Sequence, residues 1–421
     1  MSQENKRVHF DASNDPPGCD RRRFLRAGVS VLGAGMACAT LPSALAATLM
    51  ANRGQTKIAQ VRAYALPKAV FVQVIADDGT QGWGEAGHEG DRHAARLINE
   101  LLDSLVEGRD VFDADGIWSR LYHEGDELGP AGVLGMAISG IDNALWDLRG
   151  KLLGLPLWAL LGGKFRDRIT LYGSFSRATG EGYMTPVECA KRAASLVEEG
   201  FRTIKLRMSI REENLNPDPD PTLPAVREVR RAIGDDIDLY VDPNNGYSAA
   251  RAIMVGRRLQ DDFNVKVYEG PVAKHHWPSL AEVADALDME VAEGEYAATR
   301  WQFRDLILQA SGRVESRSGD SRRRDRSEEG AGPGGDLRQA DRRAQCAADP
   351  AQCRPFAFPR QLRRRQPAAG APGPRTAEGD VGVFRNQILP DAGSIAVPDT
   401  PGVGLIVNEA KVRADAEARA R

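Results

Sequence analysis

Cysteine and histidine are scarce in this chain: five and six among 421 residues. Cys19 and Cys38 fall in an N-terminal segment that reads as removable, and Cys346 and Cys353 in a stretch of anomalous composition, which leaves Cys189 alone in the body of the protein. No disulfide framework follows from that count, and a single Cys on an apolar helix face reads as core. An excess of either charge is missing too. Lys and Arg number 56 against 59 Asp and Glu, a net charge of -3, which argues against a nucleic-acid partner. Nor is there an apolar run of the ~20 residues needed to cross a bilayer. The best candidate, residues 27–41, is shorter and rich in Gly and Ala, so no stable membrane anchor is expected.

That short run follows Asp20-Arg21-Arg22-Arg23-Phe24-Leu25-Arg26 and precedes Ala44-Leu45-Ala46, a small-x-small cleavage pattern. Residues 1–46 therefore read as a twin-arginine export signal, which predicts a periplasmic protein whose mature chain starts after Ala46.

At 42% hydrophobic residues, the chain is long enough for a barrel-sized core plus a smaller domain. Strand patterns at 58–64, 70–76 and 82–86, with a turn at Asp78-Gly79, precede helical periodicity at 92–105 and 132–153. These make an α+β domain over residues 56–165. After Gly163 the rhythm becomes strand then helix: strands at 169–172, 203–206, 238–241, 267–268 and 289–292, helices at 186–199, 223–233, 249–261 and 279–287. Such alternation predicts a parallel sheet with covering helices, and its repetition predicts closure into a TIM-type (β/α) barrel, read here over residues 166–310.

Three acids stand just past predicted strands, where the catalytic side chains of such barrels sit. Asp242 follows Asp238-Leu239-Tyr240-Val241, Glu269 follows Val265-Lys266-Val267-Tyr268, and Glu295 follows Glu290-Val291-Ala292-Glu293-Gly294. Spacings of 27 and 26 residues are one strand-helix unit each, so the three carboxylates should converge on one side of the barrel mouth. Oxygen donors without His or Cys favour Mg²⁺. One unit earlier, Lys205-Leu206-Arg207 ends a strand, and two-residue alternation turns Lys205 and Arg207 to the cavity. Two cations beside a metal would neutralise a substrate carboxylate and the charge that develops on it. A single strand-end acid is more often a solvated loop residue or a helix cap. Three in register, preceded by a cationic pair, outweigh that reading.

These residues resemble the enolase superfamily, in its mandelate racemase and muconate lactonizing enzyme branch. Ala137-Ile138-Ser139-Gly140-Ile141-Asp142-Asn143-Ala144-Leu145-Trp146-Asp147-Leu148-Arg149-Gly150-Lys151, with Pro156-Leu157 and Leu160-Leu161-Gly162-Gly163, is similar to the family's first signature. Val241-Asp242-Pro243-Asn244-Asn245-Gly246 and Tyr268-Glu269-Gly270-Pro271 resemble its second, with Gly270 where a second acid is usual. Gly294-Glu295 resembles the third ligand segment. The likeness runs from about Thr56 to Gln309. It implies a capping domain on a modified (β/α)₇β barrel and metal-assisted removal of the proton α to a carboxylate, through an enediolate. By the same resemblance Asp242, Glu269 and Glu295 are the Mg²⁺ ligands. Lys205 matches the first residue of a Lys-x-Lys pair, and Arg207 replaces the second, often a base. A guanidinium keeps its proton at neutral pH, so Arg207 reads as an electrostatic clamp, and the base should be a His paired with an Asp on later strands.

That His is missing. The six are His9, His88, His93, His123, His275 and His276, none after Glu295. From residue 311 to 376 Arg, Gly, Ala and Pro dominate, and no Lys occurs between Lys274 and Lys411. Three readings compete for this stretch: a disordered basic insert, a nucleic-acid tail, or translation out of frame. The genetic code favours the third. Ala344 to Pro350 can be encoded so that reading one base later gives His-Asn-Ala-Gln-Pro-Thr, starting 49 residues past Glu295. The same shift lets Glu315-Ser316-Arg317 encode Asn-Pro-Asp, its acid 22 residues past Glu295. Both distances suit the family's His and Asp. Family-like sequence resumes in residues 377–421, at Gly382-Val383-Phe384-Arg385-Asn386 and Ile395-Ala396-Val397-Pro398-Asp399-Thr400-Pro401-Gly402-Val403-Gly404.

The leading expectation is a Mg²⁺-dependent lyase of the acid-sugar dehydratase type, acting on a small carboxylate substrate. Dehydration is preferred because Arg207 weakens the case for a second base on the opposite face. A racemase or cycloisomerase of the same superfamily, or a catalytically dead metal- and acid-binding protein, remain the alternatives, and a homo-oligomer is compatible with the sequence.

Overall fold

Strands β1 (Ile58–Ala65), β2 (Val70–Ala76) and β3 (Gln81–Glu85) form an antiparallel meander in sequence order. The computed structural model to which they belong describes residue 52 and residues 54–309, 314–316 and 382–420, except 68, 87–91, 130–131, 165, 181 and 387. The export signal read at 1–46, and all but three residues of the anomalous stretch 311–376, lie outside the described residues. From Thr56 onward the described residues form one compact unit.

Helices α1 (Arg92–Leu97), α2 (Ala114–Glu124) and α3 (Val133–Leu153) cover the meander. Helix α3 buries Ile138, Ile141, Leu145 and Leu148 against Val70, Val72 and Val74. Glycine sets how closely they approach. A Cβ on Gly84 would lie 2.3 Å from the Gly140 carbonyl oxygen, and one on Gly140 would lie 2.4 Å from the Ala86 Cβ. The small-residue steps in both elements therefore exist to let helix and sheet touch.

The second layer system alternates as expected. It runs β4 (Arg168–Thr170), β5 (Gly173–Ser176), α4 (Pro186–Glu198), β6 (Thr203–Arg207), α5 (Thr222–Ile233), β7 (Asp238–Asp242), α6 (Ala249–Phe263), β8 (Val265–Glu269), α7 (Trp277–Ala286), β9 (Glu290–Glu293), α8 (Arg300–Gln309) and β10 (Val314–Ser316). Strands β5 to β10 form a six-stranded sheet in sequence order, every neighbouring pair parallel. Ile204, Leu206, Leu239, Val241, Val265 and Val291 share its core with Val226, Val229 and Leu259 of the helices. Cys189 of α4 is fully buried there.

Two expectations are corrected. Residues 169–172 do not open the parallel sheet. Arg168–Thr170 pairs antiparallel with β11 (Ser394–Ala396), and the parallel sheet begins at Gly173. Period-2 alternation marks a strand but says nothing of its partner. The sheet also does not stop near residue 310, since Val314 pairs with Val291 and Ser316 with Glu293. An added parallel strand needs backbone groups and a β-favouring residue such as Val314, not a particular composition.

The last described residues return to the capping layer. Helix α9 (Glu409–Ala420) places Val412 in a cluster with Leu66, Phe71 and Trp83. A second link joins cap to barrel: Trp118 and Tyr122 of α2 stack with Trp301 of α8 at 6.2 and 4.9 Å, and the Arg300 guanidinium lies over Trp118 at 4.5 Å.

Candidate active site

Three neighbouring strands of the parallel sheet end on a charged residue: Arg207 on β6, Asp242 on β7 and Glu269 on β8. Lys205, 2% exposed, is the middle residue of β6. Its Nζ stands 3.0 Å from Asp242 Oδ2 and 2.5 Å from Glu269 Oε1. Both acids end their strands and are nearly as buried as the lysine. Arg207 closes β6 two residues on, with Nε 3.8 Å from Asp242 Oδ2 and its side chain 47% exposed. The pair thus faces the same region at two depths, Lys205 within it and Arg207 at its rim.

The Asp-Pro-Asn-Asn turn after β7 holds Asp242 in place. Asn244 and Asn245 both adopt positive φ, 59° and 66°, a conformation that Asn tolerates better than most residues other than Gly. Asn244 N–H donates to Asp242 Oδ1 at 2.8 Å, and Asn244 Oδ1 accepts from Ser209 N–H at 2.8 Å. Asn245 N–H donates to the Gly270 carbonyl at 2.7 Å and its side-chain amide to the Val272 carbonyl at 2.8 Å. The turns after β6, β7 and β8 are therefore tied together around the acids.

Glu295 sits differently. It lies on the exposed turn past β9, where the Tyr296 hydroxyl hydrogen-bonds to it. Burial first and Glu295 second push the Tyr296 phenol above its ordinary pKa. The structure thus brings Lys205, Asp242 and Glu269 into direct contact, sets Arg207 beside them, and leaves Glu295 at the solvent side. Among the described residues no three His, Cys, Asp or Glu side chains are gathered closely enough to hold a metal.

Sequence reading missed Glu293, the last residue of β9. It is 5% exposed; Oε1 accepts from Gly294 N–H at 3.1 Å, while Oε2 is buried without a hydrogen-bond partner. Burial above all, then the neighbouring charges of Glu295, Glu269 and Asp242, push its carboxyl up to about 7. The signal was available, because Glu293 ends β9 as Asp242 ends β7 and Glu269 ends β8.

A divalent cation fits these residues by chemistry and by charge. The donors are carboxylate oxygens, the choice of Mg²⁺. Asp242, Glu269, Glu293 and Glu295 outnumber Lys205 and Arg207 by two, and Glu293 Oε2 is an orphaned acceptor turned toward the acids. Buried carboxylates in excess call for a counter-charge.

Comparison with known proteins bears on the fold and the family. A sequence model of the mandelate racemase / muconate lactonizing enzyme N-terminal domain matches residues 42–162, and one of the enolase C-terminal domain-like fold matches residues 188–314. A D-galactarolactone cycloisomerase of Agrobacterium fabrum is 34% identical over 229 residues, 54% of this chain and 57% of that protein. A D-galactonate dehydratase of Ralstonia nicotianae is 33% identical over 262 residues, 61% of this chain and 65% of that protein. The chain thus spans less than two thirds of these relatives. A crystal structure of a mandelate racemase/muconate lactonizing protein from Paracoccus denitrificans, complexed with magnesium, superposes with a TM-score of 0.68 at 28% identity, covering 85% of this chain and 96% of that one. With a capping meander, a parallel sheet of strand-helix units and matches in both domains, the chain belongs to the enolase superfamily, in its mandelate racemase/muconate lactonizing enzyme branch.

Proposed function

We propose that this chain is built for Mg²⁺-dependent removal of the proton α to a carboxylate, followed by loss of a β-hydroxyl, which is acid-sugar dehydratase chemistry. The observation that carries the reading is the buried Lys205–Asp242–Glu269 cluster, whose two carboxylates exceed its one cation by one charge. Relatives named for D-galactonate dehydration support the substrate class.

Asp242, Glu269 and Glu295 would hold the ion. Bound Mg²⁺ supplies positive charge where the substrate carboxylate gains negative charge on losing its α-proton. Lys205 fixes one oxygen each of Asp242 and Glu269 and adds a second positive charge at that point. Arg207, at the rim, is placed to clamp the substrate carboxylate.

Proton abstraction then needs another group. Of the histidines described, His93 is in α1, His123 is in the last turn of α2, and His275 and His276 lead into α7, where His276 Nδ1 accepts from Ser279 N–H as the helix cap. We assign the base to a His recovered by rereading residues 311–376 one base later. Two observations support that assignment: the match to the C-terminal domain ends at residue 314, and the family-like sequence after residue 382 packs back onto the fold as β11 and α9.

The test compares the chain as it stands with the chain reread by one base across codons 310 to 377, each given Mg²⁺ and a panel of acid sugars including D-galactonate. Release of a 2-keto-3-deoxy acid by the reread chain alone is the expected result. Turnover by neither chain, or turnover that survives His→Ala at the restored position, defeats the proposal. A second reading, cycloisomerisation, has the Agrobacterium relative in its favour and would appear as conversion of a sugar lactone without loss of water. Ion binding without turnover in both chains would instead identify a dead binding protein.

A further inference from the structure

Glu293 is not needed by the function proposed above, yet its placement is specific. Its Oε2 is buried and unpartnered, and the residue is 5% exposed. Such an oxygen is costly to keep unless something positive or a donor takes it. Parallel register explains where it points. Glu269 pairs with Ala292, so Gly270 and Glu293 stand level on neighbouring strands, and Gly270 N–H donates to the Ala292 carbonyl at 2.9 Å. Gly270 brings no side chain to that level. A Cβ there would lie 3.6 Å from Glu293 Oε2 and 3.5 Å from both Asp242 Oδ1 and Asn245 Nδ2. The free oxygen of Glu293 therefore borders the space that Gly270 leaves empty, next to the Asp242 oxygen that Lys205 does not hold.

We propose that Glu293 is an additional acidic group of the divalent-cation site, its Oε2 facing the ion from the strand beside Glu269 through the gap at Gly270. The inference rests on the cation-site reading above. It also accounts for the count of charges: without Glu293 the three remaining acids exceed Lys205 and Arg207 by one, and with it by two, the charge of the ion.

Calorimetric titration of the full chain with Mg²⁺, and separately with Mn²⁺, tests this without any turnover. Glu293→Gln keeps the shape and should weaken binding of both ions about tenfold or more, with the ion-free unfolding midpoint held or raised. The double variant Gly270→Asp/Glu293→Ala should bind more tightly than Glu293→Ala alone, because Asp tolerates the positive φ at position 270, 48°, and directs a carboxylate into the same space. This rescue also decides the matter if the Gln variant does not fold. Binding by Glu293→Gln within about twofold of the parent, while Glu269→Gln abolishes it, overturns the role of Glu293 and leaves the cation site standing. Failure of the parent to bind either ion overturns both.

Discussion

Cys189 and Lys205 are both buried, but among different neighbours. Lys205 has the support of two carboxylates within 3.0 Å. Cys189 has none of that support. Burial pushes its thiol up to about 11, Arg177 lowering it and Glu188 raising it by lesser amounts, and only the thiolate is reactive. Alkylation at pH 8 followed by peptide mapping should therefore find Cys189 unlabelled in the native chain and labelled in urea. Native labelling at the rate of a free thiol would contradict the burial argument. At this scale much of the site was legible. Two-residue alternation placed Lys205 and Arg207 on one side, and strand-end position marked Asp242 and Glu269. What alternation cannot give is depth, and so neither the orphaned oxygen of Glu293 nor the exposure of Glu295 could be read from it.

Helices were legible where their ends are chemically marked. Helix α4 has Thr185 as its N-cap, Pro186 in its first turn and Glu188 closing a capping box: Thr185 Oγ1 accepts from Glu188 N–H at 3.3 Å, and Glu188 Oε2 accepts from Thr185 N–H at 2.7 Å. The expected boundary at residue 186 matches because the cap is written in the sequence. Thr185→Ala should lower stability by about 1 kcal/mol in urea denaturation. Glu188 adds a pH signature. The donated Thr185 bonds hold its carboxyl below the usual 4.5, and a lowered folded pKa means stabilisation that is present above 4.5 and lost as pH falls through the folded value. The parent should thus exceed Glu188→Gln in stability at pH 7 and lose that advantage under acid; an advantage that grows on acidification would reverse the assignment. Strands carry no such markers. Thr170 and Tyr172 alternate with Ile169 and Leu171 as a barrel strand would, yet β4 takes a partner from residues 394–396, more than 200 residues away in sequence.

That long-range pairing belongs to a general feature of the molecule: residues after 382 close the fold onto its capping layer, and Asp147 is the joint. Its Oδ2 accepts from Trp83 N–H at 2.9 Å and from Lys151 Nζ at 2.6 Å, while Oδ1 accepts from Val403 N–H at 2.9 Å. One fully buried carboxylate of α3 therefore binds β3, 64 residues before it, and the terminal segment, 256 residues after it. Gly402 makes room, since a Cβ there would lie 2.2 Å from Asp147 Oδ1. A carboxylate suits this position because three donors converge on it, one of them charged. Asp147→Ala would leave the Trp83 and Val403 N–H groups buried and unpaired, whereas Lys151, its side chain 28% exposed, can turn to water. The expected loss is about 3–5 kcal/mol, the scale for breaking a buried charged pair from one side, and Lys151→Ala should also cost more than a surface pair does, about 1–3 kcal/mol, because it leaves the buried Asp147 carboxylate with only its two N–H donors. Urea midpoints measure the totals, and hydrogen exchange distinguishes the cause, because residues 402–405 should lose protection together with β3. If the midpoint falls but exchange at 402–405 is unchanged, Asp147 stabilises the cap alone, and the terminal segment is held by its Val412 contacts and its pairing with β4 instead.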